Sequence, residues 1–417
     1  MKKFFTLAAL AALVLSACAK IETEKPVVDE PVGFAAYAGN ALTKAGAYGE
    51  ETTSTLQDNG FGVFAYQTTG TYTASAKPNF MYNTKVSTSS WTYSPIKYWP
   101  NQIANGGTDS QTPKAQAKQA DYVTFFAYAP YVAATATSGA VTSTDEGIIA
   151  FTDNDTAGDP KVTYKVSNDL NKQVDLLWAV SKGETWTNVA GGNNTPDNGK
   201  PYLNLQKPGF NTAIHFYFKH ALAQIKLQAV AAYNQAAAGG TAKDNVKITI
   251  EQVKITVPGM TDKMVLNLNN TTANTPLWEA ASGSTTSDLV LTVASANIVD
   301  ALKYQGAQVQ ANAGVTAEAA DVIVSGKYFT VLPKSGSTDI NVEVTYYVTT
   351  PDNDLKAGYS QVKNVISHDV TFESGLVAGT KNTIKMILGI SEVKFVATVD
   401  DWADGTTEDV NLPINNS

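Results

Sequence analysis

The sequence predicts an all-β protein, and three observations lead there. The chain is rich in Thr, Val, Tyr, Ala, Gly and Asn. Its apolar residues fall in short runs of alternating polarity, the period-two signature of a strand with one face on a core. Clusters of Gly, Asn, Asp and Pro separate those runs, and no long stretch of helical period intervenes. In Asn341-Val342-Glu343-Val344-Thr345-Tyr346 the alternation is explicit, as suits one buried and one solvated face.

Taken in order, the chain opens on a targeting signal. Met1-Lys2-Lys3 is a short basic region, and residues 4–15 (FFTLAALAALVL) are an apolar stretch too short to span a bilayer. Leu15-Ser16-Ala17-Cys18 fits a lipobox, in which small residues admit the chain to the signal peptidase and the Cys18 thiol takes the lipid. Residues 1–17 are therefore expected to be a cleaved signal peptide. Residues 19–30 are charged and contain proline, as a flexible tether would.

Strands are expected at 62–66, 122–128, 161–166 and 176–180 in the first half. In the second half they are expected at 213–218, 223–230, 246–257, 264–268, 289–293, 328–332, 340–348, 364–372 and 382–388. Residues 231–238 are Ala-rich but run into Gly239-Gly240, which leaves room for a short connecting helix at most. The run from Gly191 to Pro201 (GGNNTPDNGKP) is a strong loop signal, so a boundary is expected at 205/206. With about 400 residues, the chain has length for two domains with separate cores.

Composition excludes several functions. Cys18 is the single cysteine, so the rest of the chain has no disulfide, no thiol nucleophile and no Cys-based zinc site. All thirty basic residues are lysine, so no guanidinium is available to clamp a carboxylate or phosphate. Loss of residues 1–17 removes Lys2 and Lys3 and takes the net charge from −8 to −10. An acidic surface argues against nucleic acid as a partner.

Catalytic signatures are missing too. There is no HExxH, GxSxG, Walker A or dinucleotide-binding glycine pattern. Of the three histidines, His215 and His220 are an odd number of residues apart, which puts them on opposite strand faces. Asp153-Asn154-Asp155 lacks the spacing of a calcium loop and reads as an acidic turn, as do Asp400, Asp401 and Asp404. Tyr93, Tyr98, Trp99, Tyr122, Phe125, Phe126, Tyr128 and Tyr131 form either a sugar-stacking platform or, the reading preferred here, core packing. No enzyme, cofactor or metal is expected.

Four segments together resemble the fimbrillin family, the type V pilins of Bacteroidales-type bacteria. They are the lipobox followed by Val32-Gly33-Phe34-Ala35-Ala36-Tyr37-Ala38-Gly39; Lys97-Tyr98-Trp99-Pro100-Asn101 with the later strand at 121–131; Phe216-Tyr217-Phe218-Lys219-His220-Ala221-Leu222-Ala223; and the stretch 376–384, a strand, then Val399-Asp400-Asp401-Trp402. They occur in the family's order along nearly the whole chain. The resemblance implies two transthyretin-like β-sandwiches in tandem, at 45–205 and 206–417. It implies a lipidated leader, 18–44, removed by a surface protease so that a neighbouring subunit's strand can fill the groove. Other fimbrial subunits, the outer membrane through the lipid, a lysine- or arginine-type protease and a host or bacterial surface ligand are the implied partners. The precursor would sit on the outer membrane and the product in an extracellular fimbrium.

The residues are compatible with this scheme. Val32, Phe34, Ala36 and Ala38 share one face of a possible strand whose loss would expose an apolar trough. Two runs are candidates for the donated strand, in a tail of about 391–417: Val393, Phe395, Ala397 and Val399, or, after a turn at 402–405, Val410, Leu412 and Ile414. The alternative is that both runs are strands of their own domain. Three or four such side chains contribute roughly 5–10 kcal/mol on burial. The family's best-known processing enzyme is arginine-specific and this chain has no arginine, so cleavage is expected between Lys44 and Ala45, with Lys25 as runner-up. The competing reading is a surface glycan-binding lipoprotein that does not polymerise and stacks sugars on Trp91 or Trp99.

Overall fold

A computed structural model describes residues 30–38, 52–100, 121–141, 145–188, 192–208, 212–231, 247–299, 302, 304–305, 308–309, 320–324, 327–388 and 393–401. Cys18, Lys25, Lys44, Ala45, Val410, Leu412 and Ile414 lie outside the described residues, as do 232–238 and the turn at 402–405. The protein is all-β, as expected. The described residues add one short α-helix, Thr53–Asn59, which Thr52 caps through a reciprocal hydrogen-bonded box with Thr55. Gly60 ends it at φ 78°, a conformation that favours glycine.

A seven-stranded sheet organises the first half. Its order is Gly33–Ala38, Ala213–His220, Leu177–Val180, Tyr122–Ala129, Phe61–Thr68, Met81–Val86, with Tyr202–Leu205 alongside Tyr122–Ala129. This sheet is buried on both faces, so its central strands are apolar almost throughout, and the two-residue period assigns alternate side chains to different cores. Phe61, Val63 and Ala65 join Val123, Phe125 and Ala127 in one core, closed by Leu56 of the helix and by Trp99. Phe64, Tyr66, Phe126 and Tyr128 enter the other, against Ile148, Phe151, Val162 and Tyr164.

Those last residues belong to a short four-stranded sheet: Leu277–Ala280, Lys263–Asn267, Lys161–Lys165, Gly147–Phe151. Here Lys263–Asn267 pairs with Lys161–Lys165, so the two halves of the chain share a sheet. Polar groups fasten the same seam. Asp159 accepts from Tyr72, Asn267 and Asn269 at 2.9, 3.2 and 3.0 Å.

The second half builds two further sheets around the continuing core. A five-stranded sheet runs Ala320–Asp321, Ala223–Ala231, Thr380–Leu388, Val393–Asp401, with Phe329–Val331 also on Ala223–Ala231. The longest strands form Thr286–Ala294, Lys247–Thr261, Thr338–Pro351, Tyr359–Phe372.

The boundary expected at 205/206 placed Ala213–His220 with the second half. The structure puts this strand in the seven-stranded sheet, between Gly33–Ala38 and Leu177–Val180. The chain leaves that sheet only after His220, through the buried residues Ala221 and Leu222. The run 191–201 is the louder loop signal in the sequence, but Leu177–Val180 before it and Tyr202–Leu205 after it belong to the same sheet. His220 Nδ1 lies 2.9 Å from the Asp175 carboxylate, and both side chains are buried. Both halves also use the same pairing: an early strand lies parallel to a late one, Gly33–Ala38 on Ala213–His220 and Ala223–Ala231 on Thr380–Leu388.

Candidate assembly site

The segment 30–38 is held along both sides. On one side Val32 N donates to Lys97 O (2.9 Å), and Trp99 N donates to Glu30 O (2.9 Å). The Tyr93 hydroxyl donates to Val32 O at 2.8 Å. On the other side, Gly33 to Ala38 pair in parallel with Ala213 to Phe218, without a bulge. The Lys97-Tyr98-Trp99 landmark is thus a backbone partner of the leader, and Phe216-Tyr217-Phe218 lies in the floor beside it.

The period-two reading of the leader matches the packing. Val32, Phe34 and Ala38 are buried in the first core, and Ala36 is partly buried against it. Phe34 is the centre of an aromatic cage. Its ring stacks on Phe216 at 5.7 Å and meets Tyr93 at 5.3 Å, Phe125 at 6.0 Å and Phe61 at 6.5 Å, all edge-on or nearly so. On the outward face Tyr37 is exposed, and the Lys182 ammonium lies 5.5 Å from its ring and 4.2 Å from that of Tyr217.

The leader's end is tied as well. Ala38 N donates to Thr53 Oγ1 (3.0 Å), and that hydroxyl donates to Ala38 O (2.7 Å). Thr53 opens the helix, so this pair of hydrogen bonds ties the end of the strand to the start of the helix. Sequence reasoning missed Thr53; a threonine after a helix cap gives no hint of a strand fifteen residues away.

The leader is an edge strand, covered on one flank only by short bridges. Subtracting it would uncover Phe216, Phe61 and Phe125 and remove the leader-side partners of Ala213–Phe218, while Tyr217 and Phe218 stay paired with Val180 and Ala179. Of the candidate donor runs, Val393–Asp401 is an antiparallel edge strand on Thr380–Leu388. Phe395 stacks on His368 at 5.4 Å, Ala397 packs partly on the core, and Val399 is exposed.

The other candidates resolve into packing. Trp99 is buried, Phe125 and Phe126 enter opposite cores, Tyr93 serves the leader, and Tyr98 is half exposed, so these aromatics form no shared platform. Trp91 also leans on the first core. Asp153 caps a turn by accepting from Asp155 N and Thr156 N. His215 and His220 are on opposite strand faces, and His220 is engaged with Asp175.

The described residues thus place a strand with one buried face, Gly33–Ala38, at the edge of an all-β body. No family model matches the sequence. The chain is 28% identical to Fimbrium subunit Fim1C of Phocaeicola vulgatus, with 97% of each chain covered. Its fold matches the crystal structure of a fimbrial protein from Bacteroides vulgatus with a TM-score of 0.61 at 22% identity, covering 90% of this chain and 100% of that one. Both likenesses run nearly the whole chain, and both are to proteins described as fimbrial.

Proposed function

We propose that this chain is the precursor of a surface fimbrial subunit, lipidated at Cys18, cut after Lys44, and polymerised when a neighbour's strand replaces the leader. The carrying observation is the leader itself: an edge strand with Val32, Phe34 and Ala38 buried and its far end tied at Thr53. Burial of Val32 and Phe34 stabilises the leader by about 1.5–3 kcal/mol each. The vacated trough would therefore be a strong acceptor for a strand of matching pattern.

The groove favours one of the two C-terminal runs. In chain order the leader buries Val32, Phe34, Ala36 and Ala38; the run 393–399 presents Val393, Phe395, Ala397 and Val399. Three of four alternate side chains match in type and direction, so 393–399 would lie parallel to Ala213–Phe218, as the leader does. Val410, Leu412 and Ile414 would put the smaller Leu412 where the leader has Phe34 and the bulkier Ile414 where it has Ala36, and overpacking costs about 1–3 kcal/mol per site. Donation requires Val393–Asp401 to leave its own sheet, where it is an edge strand with Val399 exposed.

In this scheme residues 1–17 direct export, 18–44 form the removable leader, and the rest folds as two sandwich units that share the sheet joining Lys161–Lys165 to Lys263–Asn267, the chain crossing between them at Ala221–Leu222. The lipid holds the precursor on the outer membrane until cleavage passes the subunit into an extracellular filament that serves adhesion. Trypsin treatment of purified precursor tests the reading. A ladder of denaturant-resistant multimers after cleavage at Lys44 supports it; cleaved protein that stays monomeric refutes it.

A further inference from the structure

The two parallel pairings lie end to end along one stretch of chain. Ala213–His220 and Ala223–Ala231 are separated only by Ala221 and Leu222, both buried. Ala213 to Phe218 carry the leader, Gly33 to Ala38, in six register pairs. Gln224 to Ala231 carry Lys381 to Leu388 in eight. Beyond Leu388 the chain continues to Val393–Asp401.

The direction of each pairing decides how it meets a pull. Neighbouring strands pulled from opposite ends slide past one another, so all their hydrogen bonds and side-chain contacts are strained together. Pulled from the same end, they peel one pair at a time. A pull on the chain before the leader acts at Gly33, beside Ala213. The body answers through Ala221–Leu222, at the far end of Ala213–His220, so the leader is loaded in shear. The next pairing repeats this. Ala223–Ala231 is held at Ala223, whereas a pull beyond Leu388 acts beside Ala231, at the other end. An antiparallel leader would present its loaded end beside Phe218 and would peel.

We propose that residues 213–231 are the tension-bearing spine of the subunit, a mechanical function distinct from strand exchange. Ile225, Leu227 and Ala229 are buried, as are Ile384, Met386 and Leu388 on the strand beside them, which shields that pairing from competing water. Lys247–Thr261, Thr338–Pro351 and Tyr359–Phe372 lie off this route, in another sheet. In a filament, the donated 393–399 is pulled from its Val393 end and loads Ala213–Phe218 as the leader does; that part rests on the strand exchange proposed above. Each subunit then adds two sheared pairings in series. Within one uncleaved chain the spine stands without exchange.

Optical tweezers test it on the uncleaved, unlipidated full-length chain, where polymerisation is not read. DNA handles on Cys18 and Ser391→Cys pull the leader against the far end of the spine, in shear. Handles on Cys18 and Asn211→Cys pull the same leader pairing from one end. In shear, the leader should leave in a first step of about 8 nm, the length of residues 30–52 at roughly 3.5 Å each. At one loading rate its rupture force should exceed that of the peeled geometry at least about twofold, because six pairs resist together. Phe34→Ala should lower the shear force, whereas Leu291→Ala, buried in a strand off the route, should leave it unchanged. Three results overturn the proposal: forces in the two geometries within twofold, an equal fall in force on Leu291→Ala and Phe34→Ala, or a first step of only about 4 nm, which would show Lys381–Leu388 yielding before the leader. Failure of strand exchange alone would move none of these readouts.

Discussion

Phe34→Ala should free the leader without unfolding the sheet it leaves. The side chain is only 6% exposed and touches four rings, those of Tyr93, Phe61, Phe125 and Phe216. Truncating a buried phenylalanine costs about 3–5 kcal/mol, part of it for the cavity left behind. Because Gly33–Ala38 is an edge strand, that cost falls on local opening, which should rise roughly 10²–10³-fold or more. Hydrogen exchange on uncleaved precursor reads this directly. Amides of Gly33–Ala38 should lose protection by that factor, while those of Tyr122–Ala129 in the sheet interior change less than about tenfold. Equal loss in both strands would show that the leader is an integral part of the cooperative core. Loss of protection at the leader below about threefold would show that Phe34 does not hold it.

Further tests address the tether, the seam and the phenols. Thr53→Ala removes both hydrogen bonds to Ala38 and should loosen the leader's end by about 1–2 kcal/mol, seen as faster exchange at Ala38 and not in the interior strands. Asp175→Ala strips the buried partner from His220 where the chain passes between sheets; chemical denaturation should show a loss of about 2–4 kcal/mol, and a loss under 1 kcal/mol would contradict the role given to the pair. Burial raises Tyr82 to about 12 and shifts Tyr66, Tyr72 and Tyr202 further in the same direction. A raised phenol pKa favours the neutral form in the fold, so this stabilisation is complete below the unfolded value near 10 and is lost as pH rises through the folded values. Absorbance at 295 nm should therefore show a set of tyrosines that ionise only as the protein unfolds above about pH 10, whereas smooth titration of all phenols near pH 10 would contradict their burial.

Much of the strand content was legible because it rests on a local rule. Runs such as 340–348 and 364–372 alternate polarity, and they fall inside Thr338–Pro351 and Tyr359–Phe372. The leader face was legible for the same reason: Val32, Phe34 and Ala38 are the residues that pack. Pairing between distant strands was not legible. Nothing local in Ala213–His220 says that its neighbours are Gly33–Ala38 and Leu177–Val180, about 180 and 40 residues earlier, since partner choice depends on which faces remain uncovered. The continuous apolar run Phe61–Tyr66 showed a strand but not that its two faces serve different cores.

The most direct measurement is of contact between a neighbour's 393–399 and the vacated groove. In the leader register Tyr37 lies opposite Tyr217, and the Val-Phe-Ala match places Thr398 where Tyr37 was. A chain carrying Cys18→Ser, Tyr217→Cys and Thr398→Cys is treated with a short bis-maleimide before and after cleavage at Lys44. Strand exchange requires crosslinked multimers only after cleavage, with Tyr217→Cys of one subunit joined to Thr398→Cys of the next in the peptide map. Absence of that intermolecular link in cleaved protein, or its equal formation before cleavage, would contradict replacement of the leader by a neighbour's strand.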